Sequence, residues 1–214
     1  MSTAIPTADS VLDAAERLFA AQGFDGTTFR DIAREAQVNL AAAHYHHGDK
    51  ETLLLEVLRR RLRPLNEARL ARLEAAERTS ADAPVPLERL LEILAGPLFE
   101  LHAQGEGGAA AARLLGRCLA EPLPFLEPLL VGEMHPILAR FGQAIRRHCP
   151  TLSPEEFLWR FSFVVGALQH TLATLHQMKK LTQGICRDDA EIAQQRFVQF
   201  AGDVFAPASR SFVS

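Results

Sequence analysis

The 214-residue sequence predicts an all-α fold. Three observations carry that prediction. Apolar residues recur at helical spacing almost throughout, no stretch alternates with period two for long enough to make a sheet strand, and Gly- or Pro-containing breakers separate the helical stretches. The composition is that of an ordinary globular chain, 48% hydrophobic and 23% charged. Its length suits a small module followed by a larger one. No apolar run reaches the roughly 18 residues of a membrane-spanning helix, and the start MSTAIPTADS lacks the basic-then-apolar pattern of a signal peptide. A cytoplasmic protein with no membrane partner is therefore expected.

The elements follow in order. Val11, Leu12, Ala15, Leu18 and Phe19 form one apolar helix face. Asp9 is its expected cap, and Gly23 its left-handed stop. A second short helix follows Asp25-Gly26-Thr27, with Thr27 or Thr28 as N-cap and Asp31 in the first turn. Its inner face is Phe29, Ile32, Ala33 and Ala36. After the break Gln37-Val38-Asn39 comes a third helix, near 40–46, that ends at Gly48. A long fourth helix starts at Asp49-Lys50 and runs to about Glu77. A polar loop is expected over 78–86, then helices near 87–104, 109–119, 125–148, 154–180 and 189–205. The breakers between them are 105–108, 121–124, Cys149-Pro150 and Gln183-Gly184, and Pro136 should kink or split its helix.

Three short helices with a three- to four-residue turn between the second and third describe a helix-turn-helix. The last helix of such a unit lies in the DNA major groove. Here it begins Asn39-Leu40-Ala41-Ala42 and continues through His44-Tyr45-His46. Asn39 can cap it, small Ala41 and Ala42 permit close approach, and His44, His46 and Tyr45 offer polar contacts to bases or phosphates. Thr27, Thr28 and Arg30 at the start of the second helix, and Lys50 at the start of the fourth, suit phosphate. Residues 1–50 carry four cations against seven anions, so the unit is acidic, net −3. The basic run Arg59-Arg60-Arg61-Leu62-Arg63 lies roughly 13 Å further along the helix. It reads as a solvated or domain-bridging face, with electrostatic help to DNA as the alternative.

Over residues 13–53 the sequence resembles the DNA-binding domain of TetR/AcrR-type repressors. The matching parts are AA-x-x-LF, GF-x-x-TT, D-IA-x-EA-x-V and Y-H-x-G-x-K-E-x-L, at unbroken spacing. The resemblance implies a DNA-binding domain over 1–50 and a helical ligand-binding and dimerisation domain over 51–214. It also implies a homodimer on a palindromic double-stranded operator and release by a small-molecule inducer. One departure is His47, where the family usually has Phe in its small core. A His there must find a partner or face solvent. Asp49 adds an anion beside Lys50 and is expected to cap the long helix.

In the C-terminal part, Leu158, Phe161, Val165, Leu168, Leu172 and Leu175 step by three and four, as a seam against a partner helix does. The last helix adds Phe197, Phe200, Ala201 and Val204. Such stripes also arise as plain intramolecular core. Because the family pairs its last two long helices across the dimer, both stripes are assigned to that interface. Phe99, Leu114, Phe125, Met134, Phe141, Trp159 and Phe163 could line an apolar inducer cavity, with His102, Arg113, Arg117 and His170 to orient the ligand. Arg113-Leu-Leu-Gly116, Phe157-Leu-Trp-Arg160 and Val164-Val-Gly-Ala167 resemble a subgroup that includes fatty-acid-responsive regulators, which implies an apolar or acyl ligand.

No enzyme motif of the GxSxG, HExxH, GxGxxG or phosphate-loop kind occurs, so neither catalysis nor a cofactor is expected. His44, His46 and His47 diverge on one helix and make a poor metal set. Cys118, Cys149 and Cys186 are widely separated and read as small buried hydrophobes. The rival reading is a helical interaction protein of the same fold that has lost sequence-specific DNA binding.

Overall fold

The computed structural model describes residues 8–80, 83–120, 123–187 and 189–206. Among these there is no strand. The helices are α1 (Ala8–Gln22), α2 (Phe29–Glu35), α3 (Leu40–His47), α4 (Lys50–Ser80), α5 (Leu87–His102), α6 (Gly105–Ala120), α7 (His135–Arg146), α8 (Pro154–Leu181) and α9 (Ala190–Phe205). Between α6 and α7 the chain passes through a 3₁₀ turn, Pro124–Leu126, one α turn, Glu127–Leu129, and a π turn, Leu130–Met134.

Local chemistry sets these boundaries. Gly23 ends α1 and Gly48 ends α3, both at positive φ (77° and 69°) that a side chain would resist. Asp49 caps α4 through Thr52 N–H, 2.8 Å from its Oδ1, and those hydrogen bonds hold its carboxyl below the usual range. Ser153 and Asp189 cap α8 and α9 in the same way.

Several expected boundaries shift. Asp9 lies inside the first turn of α1 and does not precede it. The glycines at 105–108 do not break the chain; α6 starts at Gly105, and Gly108 lies against the Leu101 carbonyl so closely that a Cβ would collide with it. The expected helix over 125–148 is divided, and Pro136 falls in the first turn of α7, where its missing N–H costs nothing. The expected breaker at 121–124 and loop at 78–86 lie partly outside the described residues.

One contiguous core runs through the molecule. α1 packs on α2, α3 and α4, and also on α6, so the N-terminal helices rest directly on the C-terminal ones. α6 crosses α8 at Gly116, where a Cβ would stand 2.7 Å from the backbone of Ala173 and Gln169. α5 is sandwiched between α6 and α9. Cys118 and Cys149 are buried, whereas Cys186 is half-buried and departs from the expectation. No helix of the described residues is long and apolar enough to cross a membrane.

Candidate nucleic-acid interface and the C-terminal surfaces

The presentation of α3 begins with α2. Thr28 and Asp31 form a reciprocal capping box: Asp31 N–H donates to Thr28 Oγ1 at 3.1 Å, and Thr28 N–H donates to Asp31 Oδ2 at 3.3 Å. Thr28's hydroxyl, with Arg34, holds the Asp31 carboxyl below its ordinary value. The turn to α3 uses Gln37 at a φ of 58°. Asn39 then accepts Ala41 N–H at 2.8 Å and starts α3.

Two of the three histidines of α3, His44 and His47, tie it to the rest of the fold. The His44 ring stacks on Phe29 with centroids 4.0 Å apart, and its Nδ1–H donates to the Gly48 carbonyl at 2.8 Å. His47 is 4% exposed and its Nδ1 lies 2.6 Å from Glu56 Oε2. Its Nε2 is buried without a hydrogen-bond partner among the described residues. Of the two fates open to His47, burial with a local partner is the one the chain adopts. Both histidines are engaged within the fold, and no group of three potential metal ligands occurs among the described residues.

The outer side of α3 is open. Ala41, Ala42, His44, Tyr45 and His46 are exposed, Tyr45 to 86%. Thr28, Arg30 and Asn39 share that exposure. Three expected contacts are placed otherwise. Thr27 is fully buried, and its hydroxyl donates to the Gly23 carbonyl at 2.8 Å. Leu40 is half-buried against the core. Lys50 Nζ donates to the carbonyls of Phe24 (2.9 Å) and Thr27 (3.1 Å) and sits 4.0 Å from the Phe24 ring centroid. A lysine with two acceptors and an aromatic face is a structural tie before it is a phosphate ligand.

Three arginines of the basic run on α4 are paired within the fold. Arg60 pairs with Asp13 and Glu16 at 2.8 and 3.1 Å, Arg61 with Glu16 at 2.7 Å, and Arg63 with Glu133 at 3.1 Å. These residues bridge α4 to α1 and to the π turn. Arg17 pairs with Glu35 and Arg34 with Asp31. Arg30 alone among the arginines of α1–α3 makes no ion pair among the described residues.

The residues expected around an inducer do not share one cavity. Phe99, His102, Leu114 and Phe141 are core residues. Arg113, Arg117 and Phe125 belong to the seam with α1: Arg113 Nε donates to the Ala20 carbonyl at 3.3 Å, Arg117 packs over Gly23, and the Phe125 and Phe24 centroids are 5.0 Å apart. Met134 is half-buried in the π turn. Trp159 and Phe163 face outward, 56% and 60% exposed, with rings 5.8 Å apart.

The expected dimer stripe divides in a similar way. Phe161, Leu168, Leu172, Leu175, Phe197 and Ala201 are buried within the chain itself, and Val165 and Val204 are half-buried. Leu158 and Phe200 remain exposed. Most of the three-four seam packs on this chain's own helices, while Leu158 stands outside it. A groove of about 660 Å³ lies between α8 and α9, rimmed by His170, Met178, Ile192, Arg196 and Phe200. A second, about 760 Å³, lies between α7 and α8 beside Leu158 and Val165.

Sequence reasoning missed Glu56 and Arg69. Arg69 carried a signal: it falls in register with Leu62, Leu65 and Leu73 on the buried stripe of α4.

Comparison with known proteins agrees with this architecture. A family model described as "Bacterial regulatory proteins, tetR family" matches residues 11–57, and one described as "Tetracyclin repressor-like, C-terminal domain" matches 92–202. The HTH-type transcriptional regulator BetI of Agrobacterium fabrum is 44% identical over 64 residues, 30% of this chain and 31% of that protein. The biofilm operon negative transcriptional regulator IcaR of Staphylococcus epidermidis is 38% identical over 45 residues, 21% of this chain and 24% of that one. The chain thus spans about a third or less of the length of these curated relatives. Among solved structures, a TetR-family regulator from Bordetella parapertussis superposes with a TM-score of 0.63 at 20% identity, covering 92% of this chain and 94% of that one. The fatty acid degradation regulator FadR from Bacillus halodurans gives 0.60 at 16%, covering 98% and 100%. Helix-turn-helix, long connecting helix and C-terminal helical body, matched by family models at both ends, place this chain in the TetR family of DNA-binding transcriptional regulators.

Proposed function

We propose that this regulator is a ligand-responsive repressor that binds a palindromic operator as a homodimer. The carrying observation is the outer face of α3, where the side chains of Ala41, Ala42 and Tyr45 are exposed while His44 and His47 are spent on holding the helix in place. Two copies would place two such helices in major grooves about 34 Å apart. Thr28, Arg30, Asn39 and His46 complete the contact surface. Thr27 and Lys50 act behind it, by fixing the start of α4 against the turn after α1.

The dimer reading moves to the outward residues Leu158, Trp159, Phe163, Ile192 and Phe200, an exposed apolar face on α8 and α9. Such faces mark interaction surfaces. The division near Lys50, with DNA binding before it and ligand response and dimerisation after it, is kept as the functional one. Ligand binding would act through α4 and through the Phe24–Phe125 contact, by favouring one placement of α1–α3 over another.

A second reading has its own support. With Lys50, Arg60 and Arg61 bound internally, the N-terminal unit keeps few cations for phosphate, as a protein that no longer reads DNA would. Selection of genomic duplex fragments by the purified protein, at ~150 mM salt with excess random competitor, separates the two. Recovery of a shared palindrome supports the repressor reading. A folded dimer that enriches nothing supports the second.

A further inference from the structure

α8 and α9 each rest on another helix, α8 on α6 and α9 on α5. Between them a groove of about 660 Å³ stays open. The buried Leu175 and Phe197 line it, and the turn after α8 adds Ile185. On α8 the same groove reaches His170 and Thr174.

An outward stripe of α8 leads away from this groove. Trp159, Phe163, Gly166 and His170 follow at steps of four, three and four, and all are exposed. Trp159 and Phe163 make a projecting knob, with rings 5.8 Å apart. A Cβ at Gly166 would meet nothing within 4 Å. Knob and groove flank this glycine evenly. Phe163 lies three residues before it and His170 four after; Trp159 lies seven before and Thr174 eight after. The two ends of the helix differ in charge. Glu155 in the first turn and Lys180 in the last are exposed, and neither is in an ion pair among the described residues. They share one edge of the stripe, about 20° apart around the helix at 3.6 residues per turn.

We propose that this face selects a second copy of the same chain in one register: the two α8 helices run antiparallel, with a two-fold axis between Gly166 and Ala167. Each copy's Trp159 and Phe163 then enter the other's groove, and every contact is made twice, as in an isologous pair. The glycine lets the two backbones approach at the axis. Glu155 comes to a level about 3 Å along the helix from the partner subunit's Lys180, an offset that a lysine stem spans. Parallel helices would set like charge against like at both ends, so the charges fix the direction as well as the partner. Arg196, on the groove's rim and in no ion pair among the described residues, gains the partner's Trp159 ring as a cation–π seat. A chain of similar fold with other charges at these ends, or without the knob, is refused. The inference deepens the homodimer reading above and rests on it.

The test is a charge exchange on the full-length protein, followed by sedimentation. Glu155→Lys and Lys180→Glu change exposed ends of α8 and leave the core alone. Each should weaken self-association roughly ten-fold, because like charges then meet twice per dimer. Mixed together, the two variants recover both opposite-charge pairs. A tagged copy of one should therefore capture the other in preference to itself, at close to wild-type affinity. Single variants that dimerise as the wild type does overturn the proposal, and so does a mixture that restores nothing. A wild-type chain that stays monomeric overturns the homodimer reading and this inference with it. A wild-type dimer indifferent to both exchanges removes this inference alone and leaves the homodimer reading standing.

Discussion

His47 and Glu56 form a hydrogen-bonded pair across 2.6 Å, from the last turn of α3 to the second turn of α4. The His47 ring fills a core position, and its Nε2 stays buried without a hydrogen-bond partner among the described residues. An unsatisfied buried polar atom costs about 1–3 kcal/mol, comparable to the gain from the bond on the other nitrogen. His47→Phe should therefore raise stability by about 1 kcal/mol, seen as a higher urea midpoint at unchanged slope. Glu56→Ala leaves both ring nitrogens unmet and should lower it by about 1–3 kcal/mol.

Arg30 is the exposed arginine of α1–α3 with no ion pair among the described residues, which makes it the phosphate contact to test. Arg30→Ala should weaken binding to all duplexes alike and flatten the log K against log [salt] slope by about 1. Lys50→Ala should act differently. It removes a tie to two carbonyls, so thermal stability should fall along with affinity. A Lys50→Ala protein of unchanged melting temperature and reduced salt slope would return that lysine to the phosphate list.

Gly116 carries the α6–α8 crossing. Gly116→Ala gains helix propensity, but its methyl would press on the backbone at Ala173 and Gln169. Overpacking against backbone outweighs propensity, and a loss of about 1–3 kcal/mol is expected in denaturant titration.

The fold was legible because helical period and stop residues are local signals; Gly23, Gly48 and the Thr28–Asp31 box can be read without knowing any tertiary neighbour. The outer face of α3 was legible for the same reason. Partners were not. The stripe from Phe161 to Leu175 announces a seam, yet sequence does not say whether its mate is α6 of the same chain or a helix of another copy. Lys50 and Thr27 read as phosphate contacts in the sequence, but two carbonyls 23 and 26 residues away take the lysine's hydrogen bonds. The ligand residues scattered because aromatic and cationic side chains near one another in sequence point to different sides of their helices. Arg69 was visible as a charge on an apolar stripe, a pattern that marks burial and leaves the partner unnamed.

Trp159 and Phe163 test the dimer face. Replacing both by Asp should yield a folded monomer in sedimentation, with far-UV circular dichroism unchanged. Phe161→Asp should unfold the protein instead, because Phe161 belongs to the chain's own core.

Asp31 gives the pH prediction. Its hydrogen bonds with Thr28 and Arg34 depress its folded-state pKa below the ordinary 3.8. A depressed carboxyl stabilises above its unfolded value and loses that contribution as pH falls through the folded one. Asp31→Asn should leave acid unfolding less steep below pH ~4 while lowering stability at neutral pH, followed by circular dichroism.

The contacts of Ala20 with Arg113 and of Phe24 with Phe125 bear on how such proteins can be recombined. A chimera that takes residues 1–57 from this chain and its helical body from a relative would strip the end of α1 of its cation and its aromatic cover. Heredity of the two halves is therefore coupled: an exchange that succeeds must carry Arg113 and Phe125 with the donor's head, or find their equivalents already waiting in the recipient.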